Sequence, residues 1–127
     1  MKNREIKFRV WNVNSETFVD QFEARIYIWG YVECDDGKEW IEPSKGSIVI
    51  EQFTGLKDKN GKEIYEGDII HHGQEETSGE KNEVIFQNGE FGMRWQSQSL
   101  WHISCDSHFF EIIGNVHENA GLLAVAP

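Results

Sequence analysis

The sequence predicts a mainly β fold, with a small SH3-like barrel or roll in its C-terminal part, an N-terminal β extension and one short helical turn. Three observations carry this expectation. Short runs of β-branched and aromatic residues recur along the chain, and such residues suit a pleated, half-buried surface. Turn dipeptides separate them, namely Asp36-Gly37, Asn60-Gly61 and Asn88-Gly89, which tolerate the positive φ that tight turns need. Finally, about five of these short strands fall in the C-terminal part, and closing them into a roll hides their edges.

Each element has its own warrant. In Glu5 to Trp11, Ile6, Phe8 and Val10 alternate with Glu5, Lys7 and Arg9, so the period of two predicts a half-buried strand. Asn12 to Thr17 is polar and reads as a turn. Phe18 to Ala24 fits either a helical or an alternating pattern. Arg25 to Val32 is rich in Ile, Tyr, Trp and Val and predicts a strand. Asp36-Gly37 predicts a hairpin between Tyr31–Cys34 and Lys38–Ile41. Pro43 to Gly46 breaks the pattern, so a single domain over 1–127 divides into an extension (1–46), a barrel (47–119) and a tail (120–127).

Within the barrel, Ser47 to Phe53 predicts a strand and Thr54 to Lys62 a polar turn. Strand character resumes at Ile64–Tyr65 and Gly67–His72. His72 to Asn82 has no apolar residue and predicts a loop. Glu83–Gln87 and Glu90–Trp95 flank Asn88-Gly89, the strongest hairpin signal in the chain. Gln96 to Ser104 is the expected helical turn, packed through Leu100, Trp101 and Ile103, and Phe109 to Val116 is the last strand.

Composition narrows the function classes. At 127 residues, 39% hydrophobic and 13% aromatic, the chain has enough apolar surface for one packed core and too much for disorder. Its longest apolar run, Leu122 to Ala126, is far short of the roughly 20 residues of a membrane helix. Met1 to Val10 has no apolar core of a signal peptide, so a cytoplasmic location and reduced Cys34 and Cys105 are expected. The net charge is −10. Residues 1–60 hold nine Lys/Arg and eleven Asp/Glu, a net of −2, and residues 61–127 hold three and eleven, a net of −8. That second half repels phosphate backbones, which disfavours a nucleic-acid partner.

The block Thr54 to Asp68 holds more detail than a core requires. Turn chemistry explains most of it: Gly55, Gly61 and Gly67 free the backbone, and Asp58 and Asn60 bond their own turn. The surplus is Lys57, Lys59 and Lys62, a basic tip suited to a phosphate or an acidic partner. Asp58-Lys59-Asn60-Gly61 fails as a calcium loop, because its Gly comes too early for that loop's turn.

His102-x-x-Cys105-x-x-His108 is the most metal-like spacing, since one helical turn would gather the three, with Cys34 or His71-His72 completing a zinc site. Ordinary surface histidines and a buried Cys explain the same residues, so no metal and no cofactor is expected. No Gly-x-Ser-x-Gly elbow or phosphate loop is present, and no cleft sets Glu63, Glu66 and Asp68 against one another, so catalysis is not expected. Most aromatics belong in a core. With five Trp in a small chain, Trp40 and Trp101 are the candidates for a protein-binding surface.

Gln52-Phe53-Thr54-Gly55-Leu56-Lys57-Asp58-Lys59-Asn60-Gly61-Lys62-Glu63-Ile64-Tyr65-Glu66-Gly67-Asp68-Ile69-Ile70 resembles the central signature of the YopX-like proteins of phages and prophages. Arg4 to Trp11 is similar to that family's opening, and Phe110 to Asn119 to its close. The chain departs from the pattern at Ala120-Gly121, where the family commonly has Pro and an acidic residue. The resemblance implies a phage or prophage product with an SH3-like barrel and supplies no activity. The expected role is a non-catalytic protein-binding module in a bacterial host cell, either a homo-oligomer or bound to a phage or host protein. The rivals are an acidic mimic of nucleic acid that blocks a DNA-binding enzyme, a metal-dependent enzyme, and a direct nucleic-acid binder that uses the Lys tip with Arg4 and Lys7.

Overall fold

The computed structural model describes residues 5–19, 24–26, 32–35, 40–41, 48–72, 81–94, 101–102 and 110–123. Strands dominate them, and the strand pairs are antiparallel. The fold is mainly β, with a small SH3-like roll in the C-terminal part. Two compact units are present, Phe8–Glu51 and Met1–Lys7 with Gln52–Pro127. Among the described residues, no helix is long and apolar enough to cross a membrane.

In the unit Phe8–Glu51, β1 (Phe8–Asn12) and β2 (Thr17–Phe18) form a hairpin with Trp11 opposite Phe18. The turn between them is built by Asn12, whose buried Oδ1 accepts the Asn14 and Ser15 N–H groups at 2.9 and 3.2 Å. Such an Asx turn replaces backbone pairing where the chain reverses. Val10 and Ile48 are buried, and Val19 and Ile50 pack against them.

The alternation expected from Ile6 through Phe8 to Val10 is only partly realised. Val10 is 3% exposed, whereas Phe8 is 40% and Ile6 58% exposed. Periodicity assigns a side to each residue, but a side is buried only where a neighbour lies over it, and this cluster covers Val10 alone of the three. Arg9, expected on a solvent face, lies 2.9 Å through Nε from Oε1 of the buried Glu51. Its guanidinium also sits 4.7 Å over the Phe18 ring, a favourable stack for a planar cation.

β3 (Ala24–Ile26), β4 (Val32–Asp35) and β5 (Trp40–Ile41) form a three-stranded sheet with β4 in the middle. The expected single strand Arg25–Val32 is thus two arms of a hairpin, with Ile26 opposite Val32. β-rich composition marks propensity and not the point of reversal. The hairpin expected around Asp36-Gly37 pairs Asp35 with Trp40.

β6 (Ile48–Lys57) contributes its first residues to that unit and the rest to the other. Thr54 to Lys57, expected in a turn, continue the strand. Phe53 faces Tyr65 and Lys57 faces Glu63 in β7 (Glu63–Tyr65), with a register shift between them. This β-bulge absorbs the extra residues at Gly55, whose φ is +88°, a value that suits glycine. Thr54 Oγ1 holds the bulge by donating to the Ile64 carbonyl at 2.7 Å and accepting the Leu56 N–H at 3.1 Å.

The main sheet contains β8 (Asp68–His72), β9 (Lys81–Gln87), β10 (Glu90–Arg94), β11 (Trp101–His102) and β12 (Phe110–Asn115), in the order β11-β10-β9-β8-β12. β9 takes in Lys81 and Asn82, the last two residues of the expected loop. The helical turn expected over Gln96–Ser104 is corrected at Trp101–His102, which pair as a strand with Met93 and Gly92. Hydrogen-bonding the open edge of β10 satisfies backbone groups that a turn would leave to solvent. A 3-10 turn instead spans Ala120–Leu123 and packs on β9.

Ile64, Ile70, Val84 and Phe110 form the core of this unit, with Leu56, Met93 and Ile112 against it. Ile69 and Ile70 are both fully buried, so β8 is covered on both faces.

Candidate functional site

The signature turn is anchored by one carboxylate. Asp58 follows β6 directly and is 4% exposed. Its Oδ1 accepts the Asn60 and Lys62 N–H groups, both at 2.9 Å, and its Oδ2 accepts the Ile112 N–H at 3.0 Å. Next to it, the Lys59 N–H donates to the Phe110 carbonyl at 2.9 Å. These two bonds give the outer edge of β12 the partners a further strand would supply, so the turn closes the sheet onto β6 and covers an edge. Burial pushes the Asp58 carboxyl up, but the N–H donors from Ile112, Lys62 and Asn60 outweigh it and hold the group below its usual range. Asp58 bonds its own turn as expected, whereas Asn60 contributes its backbone N–H.

The neighbouring polar residues extend the same scaffold. Glu66 Oε1 accepts the Gln52 N–H at 3.0 Å, and the buried Asp68 accepts the Tyr65 N–H at 2.8 Å through Oδ2. Gly67 donates to the Val84 carbonyl and accepts from the Val116 N–H, each at 2.8 Å. At the end of β12, Asn115 Oδ1 accepts from His117 and Glu118. Most of the signature therefore holds strands together.

Lys57, Lys59 and Lys62 are all exposed, but they do not act alike. Lys59 Nζ lies 3.4 Å from Glu111 Oε2, and His71 Nε2 lies 3.1 Å from that same oxygen. The His71 hydrogen bond and the Lys59 charge hold the Glu111 carboxyl below its usual range. Lys81 faces His71 across the β8–β9 pair. Among the described residues, no carboxylate lies within ion-pair distance of Lys57 or Lys62. The basic tip thus divides into one cation tied to β12 and two that face solvent. The His71–Glu111–Lys59 cluster was not foreseen, because its members are far apart in sequence and meet only through the β8–β12 register.

Trp40 and Trp101 lie in β5 and β11, opposite Asp35 and Met93. His102 lies opposite Gly92, while Cys105 and His108 are outside the described residues. The helical spacing that would gather His102, Cys105 and His108 is absent at Trp101–His102, where the chain is extended and neighbours alternate faces. Among the described residues, no group of three metal-binding side chains is present.

A second surface lies on the β9–β10 hairpin. Asn88 and Gly89 have φ of +55° and +80°, as a type I′ turn requires. Phe86 and Phe91 face each other just inside that turn, with ring centroids 4.8 Å apart and planes at 59°. Phe86 shares a strand face with Val84, yet Val84 is 1% and Phe86 47% exposed. The apolar face of the hairpin therefore runs past the core into solvent. The signal was the position of the pair beside the turn, farthest from the rest of the sheet.

A family model described as YopX protein matches residues 7–124. No curated protein matches the chain. The structure is similar to the crystal structure of protein EF1440 from Enterococcus faecalis, with a TM-score of 0.68 and 24% identity, covering 96% of this chain and 100% of that one. At that identity the likeness speaks for the fold.

Proposed function

Since the chain belongs to the YopX protein family, we propose that it is a phage or prophage accessory protein that binds another protein without catalysis inside a bacterial host. The exposed Phe86–Phe91 pair carries the reading. Aromatic side chains anchor protein interfaces, and here Phe86 is exposed with the half-buried Phe91 beside it while the signature's polar groups are engaged in the scaffold.

The acidic-mimic alternative has less support. Such a mimic needs carboxylates arrayed toward solvent, as phosphates are. Here Glu63 pairs with Lys7, Glu83 with Arg94 and Glu111 with Lys59, and Asp58 and Asp68 are buried.

Affinity capture from host and phage-infected extracts tests the reading, followed by light scattering on the purified pair. The expected result is a stoichiometric protein–protein complex with both chains chemically unchanged. A chain that forms no such complex, or that turns over a small molecule, refutes it.

A further inference from the structure

We propose that Asn88, in the turn of the β9–β10 hairpin, is a site of spontaneous deamidation, while the fold protects the chain's other Asn-Gly pair at Asn60. The inference stands apart from the protein-binding reading above, although it concerns the hairpin that carries it.

The reaction needs an Asn carboxamide followed by a nitrogen that nothing crowds. Asn60-Gly61 and Asn88-Gly89 are the Asn-Gly pairs of the chain, and a glycine carries no side chain to hinder its nitrogen. The glycine N–H gives its proton to a solvent base, and the nitrogen attacks the Asn Cγ. The N–Cγ bond forms, the Cγ–Nδ2 bond breaks and ammonia leaves. Water then opens the succinimide at either carbonyl, giving aspartate or isoaspartate. In neither turn is the nitrogen aimed at Cγ. At Asn88 the left-handed φ of +55° goes with a ψ that sets the next nitrogen away from Cβ, and the Gly61 N–H is held by the Asp58 carbonyl. Cyclisation therefore waits for the turn to open, and the cost of opening decides between the sites.

Opening is costly at Asn60. Every N–H from Asp58 to Lys62 is held. Asp58 donates to the Lys62 carbonyl, Lys59 to the Phe110 carbonyl, Asn60 and Lys62 to Asp58 Oδ1, and Gly61 to the Asp58 carbonyl, at 2.8–3.0 Å. Freeing the Gly61 nitrogen breaks into the network that latches β12. Opening is cheap at Asn88. Among the described residues, neither the Asn88 nor the Gly89 N–H has an acceptor, and the Asn88 carboxamide has no partner. Phe86 to Glu90 are all exposed, so the tip opens without disturbing the core. Breaking several bonds first slows the reaction at Asn60 at least about tenfold relative to Asn88.

The product alters the hairpin. Isoaspartate carries the main chain through the former side-chain carbon, which lengthens a loop whose type I′ geometry needs two ordinary residues. The pairing of Gln87 with Glu90 and of Phe86 with Phe91 then loses the turn that sets its register. Aspartate keeps the chain length and adds a negative charge next to Glu90.

The test holds the full chain at mildly alkaline pH, folded and in urea, and samples it over time by peptide mapping with mass spectrometry. Isoaspartate is scored by an isoaspartate-specific methyltransferase. In the folded chain Asn88 is expected to convert at least about tenfold faster than Asn60, and in urea the two rates are expected to converge. Asp58→Asn, which weakens the latch, is expected to speed conversion at Asn60 severalfold and to leave Asn88 unchanged. Equal rates in the folded chain, faster conversion at Asn60, or a ratio that urea does not alter would overturn the proposal. So would an Asn88 that converts in urea and stays intact in the folded chain, or a folded Asp58→Asn chain in which Asn60 reacts no faster. The readout is covalent and needs no partner, so the protein-binding reading stands or falls separately.

Discussion

Asp58→Asn is the most informative single change. The substitution keeps the size of the side chain and replaces one acceptor oxygen with an NH₂ donor. Asp58 now accepts three N–H groups, from Asn60, Lys62 and Ile112. An Asn placed with its oxygen toward the turn keeps the first two, but its NH₂ then faces the Ile112 N–H, donor against donor. A buried donor left without an acceptor costs about 1–3 kcal/mol, and the two remaining bonds lose their charge assistance. The expected loss is about 3 kcal/mol, a large share of the roughly 5–15 kcal/mol of a typical domain. Urea denaturation followed by Trp fluorescence measures it, with an unchanged m-value showing that the folded state is as compact as before.

The pH dependence supplies a second check. Folding lowers the Asp58 pKa, so the unfolded chain binds more protons and the carboxylate stabilises the fold above its unfolded pKa of about 3.9. That contribution is lost as pH falls through the lower folded value. The gap between wild type and Asp58→Asn should be widest near neutrality and shrink below about pH 4. A loss under about 0.5 kcal/mol, within the range of an ordinary surface change, or a gap unaltered between neutral and acidic pH, would refute the account of the turn as a charged latch on β12.

Other substitutions test the remaining supports. A Cβ at Gly114 would lie 2.5 Å from Asn119 Oδ1, so Gly114→Ala should cost about 1–3 kcal/mol in urea titrations, and adding Asn119→Gly should relieve part of it. Gly61 has φ of +81° with open space around it, so Gly61→Ala should cost about 1 kcal/mol by conformation alone. Arg9→Ala leaves the buried Glu51 carboxylate without its 2.9 Å ion pair and should cost about 3 kcal/mol. Lys7→Ala removes the more exposed pair to Glu63 and should leave the melting midpoint nearly unchanged.

Chemistry that acts over a few residues was legible in the sequence. Asn88-Gly89 announced its hairpin because those residue types suit positive φ. Asn12 to Thr17 read as a turn because the segment is polar, and in the structure Asn12 folds back on the Asn14 and Ser15 N–H groups. The signature read as turn chemistry, and Asp58 and Gly61 behave that way. Misreadings arose where a distant partner decides. Thr54 to Lys57 is polar like a loop, yet pairing with β7 extends the strand. Leu100, Trp101 and Ile103 were read as the packing residues of a helical turn, with Leu100 and Ile103 three apart, yet the edge of β10 takes Trp101–His102 as a strand.

The candidate site divides the same way. Lys57, Lys59 and Lys62 could be picked out as a basic tip, but whether each faces solvent depends on Glu111, which arrives from β12. The aromatics could be counted, and most were assigned to a core. That Phe86 is exposed while Val84 on the same face is buried depends on how far the rest of the unit reaches along the hairpin. The sequence by itself determined the β class, the turns at Asn12 and at Asn88-Gly89 and the family signature of residues 52–70, because local backbone preferences and side-chain periodicity are written residue by residue. Only the tertiary structure decided that Asp58 latches β12 and that the hairpin presents its aromatic pair to solvent, because burial and long-range hydrogen bonds belong to pairs of residues that the chain brings together only on folding.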